Sequence, residues 1–162
     1  MAMDLDYVFG PDGPLARTFP GYAPRGGQAA MAHEVAAALA GAHTLIVEAG
    51  TGTGKTFAYL APALLSGRRV IVSTGTRALQ DQLYHRDLPA ICAALGRPAS
   101  VALLKGRANY LCRHRLELAS QQAWSRGLRG EVARALPRVA AWATVTRRGD
   151  IAELAALGES DP

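Results

Sequence analysis

Apolar positions recur along this chain with two different periods. Residues 1–26 carry neither: Gly10-Pro11, Gly13-Pro14, Pro20-Gly21 and Pro24 punctuate the stretch, which predicts an irregular lead-in with Leu15, Phe19 and Tyr22 available to pack. From Gln28 onward Met31, Val35, Ala38 and Leu39 fall at helical spacing, with Gly41 as the expected C-terminal cap. A short run, Thr44-Leu45-Ile46-Val47, then reads as a buried strand. A glycine-rich loop follows, and after it a helix from Lys55 to about Leu65, which Pro62 is expected to kink by removing a backbone donor.

The same order repeats. Val70-Ile71-Val72 reads as a strand, Ser73 to Thr76 as a loop, and Arg77 to Leu95 as a helix with Leu79, Leu83 and Ile91 on one face, stopped by Gly96. A third run, Val101 to Leu104, repeats the strand signal. Strands alternating with helices predict an α/β fold, a parallel sheet with right-handed crossovers and flanking helices. The successive apolar residues in each run suit a sheet covered on both faces. After Lys105 the strand signals stop. Residues 111–143 read as helical, rich in Leu, Ala and Arg, with interruptions near Ser125 to Gly130 and at Pro137. The last five residues, Gly158 to Pro162, carry no core signal.

At 162 residues and 49% hydrophobic, the chain can bury a real core. It contains no uninterrupted apolar run of roughly 18 residues, so no membrane span is expected, and its first residues lack the pattern of a secretory signal. Two cysteines, Cys92 and Cys112, exclude a disulfide framework and fit a reducing, cytoplasmic setting. The net charge of +5 is unevenly placed. Residues 1–96 hold seven basic and seven acidic side chains, whereas residues 97–162 hold eleven and six. Such a basic half fits a polyanion-facing surface and equally fits a solvated, arginine-rich helix face.

The strongest chemical signal lies between the first strand-like run and the helix after it. Ala49 to Thr56 reads AGTGTGKT, a Walker A phosphate loop with alanine in place of its first glycine. Gly50, Gly52 and Gly54, alternating with Thr51 and Thr53, let the backbone wrap so that successive N–H groups point at phosphates. The helix that follows adds its positive N-terminal end. Lys55 would reach the β- and γ-phosphates of ATP, and the Thr56 hydroxyl would ligate Mg²⁺.

Four stretches, GYAPRGGQ, EAGTGTGKTFAYLAPAL, VIVSTGTRALQDQL and LLKGRANYLC, together resemble the bacterial DinG/YoaA-type relatives of the XPD iron–sulfur helicases, a superfamily 2 group. The resemblance runs from about Asp12 to Glu117, with a weaker echo at Thr146 to Asp150. It implies a partial RecA-like domain with a parallel sheet over residues 27–110, then the start of an α-helical iron–sulfur domain over residues 111–162. It further implies an ATP-dependent DNA helicase of 5′→3′ polarity. Gln28 matches the adenine-reading glutamine, whose amide can pair with the N6 donor and N7 acceptor of the base. Arg25 would orient the loop or touch the nucleotide. Thr74, Gly75 and Thr76 match the motif that grips single-stranded DNA, and Lys105 and Arg107 lie in a stretch expected to face the same polyanion. Gln80 and Gln82 follow on the helix. Cys112 matches the first of four cysteines that hold a [4Fe–4S] cluster, yet its three partners do not follow in this sequence.

No apolar run after Leu104 ends in an Asp-Glu pair, so the carboxylates that would hold Mg²⁺ and orient the attacking water are not found. The chain is therefore expected to be the N-terminal ATP-binding segment of a longer helicase, inactive in hydrolysis alone. Two other readings stay open: a non-catalytic nucleic-acid-binding module with a vestigial loop, and a P-loop small-molecule kinase. The sequence sets no oligomeric state.

Overall fold

The computed structural model describes residues 3–126 and 131–158. The chain divides into two compact units, Met1–Leu103 and Leu104–Pro162.

The first unit is built on helices. The stretch expected to be irregular instead forms α1 (Leu5–Phe9) and α2 (Pro14–Thr18). Asp4 caps α1 through its carboxylate, which accepts from the Asp6 N–H. Pro14 opens α2, where its missing N–H removes no helical bond. Val8, Phe9 and Leu15, which these turns project inward, are buried in the core. α3 (Gly26–Gly41) packs on α4 (Lys55–Leu65), with Ala32, Ala58 and Ala61 fully buried. Small residues at such a crossing let two backbones approach closely. Pro62 lies buried inside α4 without ending it, and the Ser66 N–H closes the last turn on the Pro62 carbonyl at 2.9 Å.

Arg77 to Leu95 is helical throughout, but not as one regular helix. α5 (Arg77–Gln82) passes into a π-helical turn (Leu83–Asp87) before α6 (Leu88–Leu95). The Leu88 N–H reaches back five residues to the Leu83 carbonyl. Pro89 explains the wider turn: its ring excludes a donor and crowds the carbonyl four residues earlier. Leu83, Ile91 and Leu95 enter the core while Leu79, expected on the same face, stays 42% exposed. Gly96, in the left-handed region at φ 58°, ends α6 as expected. Leu15, Leu60, Ile91 and Val8 are the largest fully buried side chains, each contributing roughly 1.5–3 kcal/mol.

The expected parallel sheet does not form. Among the described residues there is no strand, and residues 44–47, 70–72 and 101–104 lie outside any helix or ladder. Ile46 is 92% exposed and Ile71 93%, so the residues that suggested a sheet buried on both faces meet solvent. Strand propensity is a preference for a pleated, half-buried surface, and without a neighbouring backbone to complete the ladder it has nothing to act on. Helices supply the core instead.

The second unit is also helical, as the sequence after Lys105 predicts: α7 (Arg113–Arg126), α8 (Glu131–Val145) and α9 (Ile151–Gly158). α7 packs on α8, Pro137 sits within α8 without interrupting it, and Trp142 is buried. Residues 127–130, within the other expected interruption, and 159–162, most of the tail, lie outside the described residues. A clasp joins the start of the unit to the residues just before α9. Tyr110 and Asp150 form an isolated antiparallel bridge, and the Leu111 N–H donates to the Gly149 carbonyl at 2.8 Å. Lys105 Nζ meets Asp150 Oδ2 at 2.9 Å, both side chains largely covered.

Candidate nucleotide site

The phosphate loop occupies the turn that leads into α4. Gly52 and Gly54 take φ of 77° and 83°, conformations that favour glycine over any other residue. Gly54 is the N-cap of α4 and offers no side chain to the helix end. Its carbonyl takes the Phe57 and Ala58 N–H groups at 3.1 and 3.2 Å. The free N–H groups of the first turn and the positive end of the helix dipole are thus left for an anion.

Lys55 is the first residue of α4 and folds back over the loop. Its ammonium donates to the Ala49 carbonyl at 2.7 Å and to the Gly50 carbonyl at 2.5 Å. Thr53 Oγ1 donates to the Gly50 carbonyl at 2.9 Å, which ties the near side of the turn. Neutral carbonyls are weaker partners for an ammonium than an anionic oxygen is. Thr56, one residue on, shares a side-chain hydrogen bond with Tyr59. Burial pushes the Tyr59 phenol above its usual range, opposed by that hydrogen bond and reinforced by the negative charge of Asp87.

Two further side chains reach the loop from the residues around the start of α3. Arg25, the N-cap of α3, donates from Nη1 to the Gly52 carbonyl at 2.8 Å. Gln28 is only 4% exposed, and its Nε2 donates to the Gly54 carbonyl at 3.0 Å. The Tyr22 hydroxyl lies 3.3 Å from Gln28 Oε1 and 3.1 Å from the Phe9 carbonyl, so its single proton serves both acceptors. With the amide turned the other way, Oε1 would stand against the Gly54 carbonyl, acceptor against acceptor. A Cβ on Gly54 would stand 2.1 Å from Gln28 Nε2, so close approach as well as φ requires glycine there. Sequence reasoning selected Arg25, Gln28 and every residue from Gly50 to Thr56, and the fold gathers them around one loop. It gave Tyr22 no role beyond packing.

The remaining site residues lie elsewhere. In the first unit, Thr76 caps α5 by accepting from the Leu79 N–H at 3.2 Å, Thr74 Oγ1 donates to the Thr76 carbonyl at 3.4 Å, and Gly75 is exposed. Asp87, which sequence reasoning passed over, is buried and accepts from Gln82 Nε2 at 2.9 Å and Arg86 Nε at 3.1 Å. In the second unit, Arg107 is exposed on a short 3₁₀ turn (Arg107–Asn109), whereas Lys105 is held by Asp150. Cys112 is exposed at the start of α7.

Metal chemistry divides along the same lines. Among the described residues no group of three or more His, Cys, Asp or Glu side chains could hold a metal ion. Mg²⁺ does not need one, since it keeps most of its waters and binds through substrate phosphates with few protein ligands, so the Thr56 hydroxyl fits. A [4Fe–4S] cluster needs four thiolates, and two cysteines do not fit it.

The sequence pattern of the DEAD/DEAH box helicase family matches residues 28–117. The ATP-dependent DNA helicase YoaA of Haemophilus influenzae is 47% identical over 157 residues, 96% of this chain and 24% of that protein. The ATP-dependent DNA helicase YoaA of Escherichia coli is 50% identical, with 93% of this chain and 23% of that protein covered. The 3′-5′ exonuclease DinG of Bacillus subtilis is 36% identical, covering 86% and 15%. No solved structure gives a significant match. The chain spans about a quarter of the length of the two YoaA helicases. On the family pattern and these identities, the chain belongs to the DEAD/DEAH box helicase family and is of the DinG/YoaA type.

Proposed function

We propose that this chain is the nucleotide-binding segment of an ATP-dependent DNA helicase that works on DNA in the cytoplasm. One observation carries the reading: Lys55 stands at the N-terminus of α4 with its ammonium folded over the glycine loop, against carbonyls that a phosphate can replace. In this reading the loop amides and Lys55 bind the β- and γ-phosphates of ATP. The Thr56 hydroxyl would hold Mg²⁺, which would supply neutralisation of the phosphate charge. Thr74, Gly75 and Thr76 offer hydroxyl and backbone groups to the phosphates of single-stranded DNA, and Arg107 adds an exposed charge.

Titration of MgATP into the purified protein tests the site. Lys55→Ala removes the cation folded over the loop, and a loss of about 10-fold or more in affinity is expected, about 1.4 kcal/mol or more. Undiminished binding by that variant would place the nucleotide elsewhere. Single-stranded DNA should shift the nucleotide Kd, and the shift should weaken steeply with salt. A small-molecule kinase would show neither effect.

A further inference from the structure

Asp87 is 7% exposed and lies at the end of the π-helical turn between α5 and α6. Its carboxylate accepts from Gln82 Nε2 at 2.9 Å and from Arg86 Nε at 3.1 Å. Gln82 is the last residue of α5 and Asp87 is the N-cap of α6, so the first of these bonds spans the π-turn and ties one helix to the next. An apolar residue of similar volume would serve the core at least as well, because a buried carboxylate gives up hydration that its partners must replace. What the carboxylate adds is direction, through donors at defined positions. We infer that Asp87 is a positioning residue for the Thr74–Thr76 turn: by holding Gln82 across the π-turn, it sets the angle at which α5 leaves the core and hence where that turn meets the phosphates of DNA.

Apolar packing does not fix α5. None of its residues is buried, and Leu79, its largest apolar side chain, is 42% exposed. α6, by contrast, is sunk into the core through Ile91 and Leu95, and Leu83 anchors the π-turn there as well. Single π-helical turns of this kind recur at functional sites. Thr76, whose hydroxyl accepts from the Leu79 N–H at 3.2 Å, caps the far end of α5, about 9 Å from Gln82 along the helix axis. A swing of about 10° at the π-turn would carry Thr76 about 1.5 Å sideways. A hydrogen bond to a phosphate oxygen does not survive a displacement of that size. Arg86, with its side chain 72% exposed, supports the carboxylate from the solvent side and leaves Gln82 to tie α5.

The inference rests on the reading of Thr74, Gly75 and Thr76 as a DNA contact, and the experiment separates the two. A fluorescein-labelled oligodeoxythymidylate is titrated into the wild-type protein, Asp87→Asn, Gln82→Ala and the double variant, with the unfolding midpoint of each recorded. Asp87→Asn removes a negative charge, which by itself would tighten binding to a polyanion. A positioning role predicts the opposite sign: about fivefold weaker binding, the order that one well-placed hydrogen bond carries. Gln82→Ala should show a similar loss, and the double variant no more than either alone, because both substitutions break one contact. Amide exchange at Gln80, whose N–H donates to the Thr76 carbonyl at 3.1 Å, should also speed up in Gln82→Ala before any DNA is added. Gln82 is exposed, so this variant answers the question even if Asp87→Asn fails to fold. A lowered midpoint with undiminished DNA affinity would make the contact purely structural and overturn the inference. Losses that add in the double variant, or weaker binding with exchange at Gln80 unchanged, would place Gln82 on the DNA itself and likewise overturn it. Failure of the wild type to bind the oligonucleotide would instead remove the DNA reading, and the positioning role with it.

Discussion

At the end of α3 a glycine and an alanine have exchanged their usual duties. Gly41, which the sequence marks as the cap, remains helical, and a Cβ there would lie 2.8 Å from the Nδ1 atom of His43. The left-handed position falls one residue later, on Ala42, at φ 52° and ψ 42°. An L-residue with a Cβ pays for that conformation where glycine would not. Ala42→Gly is therefore expected to stabilise the protein by about 0.5–1 kcal/mol, the relief being partly offset by greater freedom in the unfolded chain. Denaturant unfolding reads this directly, and a lower midpoint for the glycine variant would mean that Ala42 is not left-handed in solution. The glycine-rich loop before α4 stands out in the sequence for the opposite reason. The glycines, Lys55 and Thr56 form a pattern of residue types at fixed spacing, which is written locally. Tyr22 was not legible as a partner of Gln28, because nothing in the letters says that a hydroxyl meets an amide whose other end holds a carbonyl 26 residues further on.

Among the elements, α4 keeps the bounds its pattern predicts, and α3 differs by two residues at its start. The departure is the π-helical turn before α6, where Pro89 disturbs an otherwise helical pattern. The clasp of the second unit is the element-scale feature with the clearest electrostatic signature. The hydrogen bond from Lys105 holds the Asp150 carboxyl below the usual carboxylate range, against the opposing effect of burial, with help from the Ala152 N–H and the charges of Lys105 and Arg148. Because the folded pKa is depressed, its stabilising contribution is complete above the ordinary carboxylate pKa. It is lost as pH falls through that value and then through the lowered one. Amide exchange at Leu111, whose N–H is closed on Gly149, should therefore accelerate in acid relative to the intrinsic rate. Asp150→Asn should speed it at neutral pH and flatten the dependence. Exchange that is insensitive to both pH and this substitution would mean the pair does not hold the clasp.

At the scale of the whole molecule, the first unit keeps its apolar residues in two populations. Val8, Leu15, Leu60 and Ile91 are sealed between helices, whereas Ile46 and Ile71 are almost wholly exposed. Exposed isoleucines contribute little to stability and promote association. In the isolated chain, the double substitution Ile46→Lys and Ile71→Lys should leave the unfolding free energy within about 0.5 kcal/mol and reduce concentration-dependent light scattering. A large fall in Tm would show that these residues are covered in solution. Family membership, the helices after Lys105 and the loop that presents Lys55 were all determined by the sequence alone, since each depends on residue type and short-range spacing. Only the tertiary structure decided that no strand forms among the described residues, that Lys105 is neutralised by Asp150, and that Gln28 faces the protein's own backbone. A ladder, an ion pair and a buried amide each require a partner distant in the chain, and proximity of that kind is a property of the packed molecule.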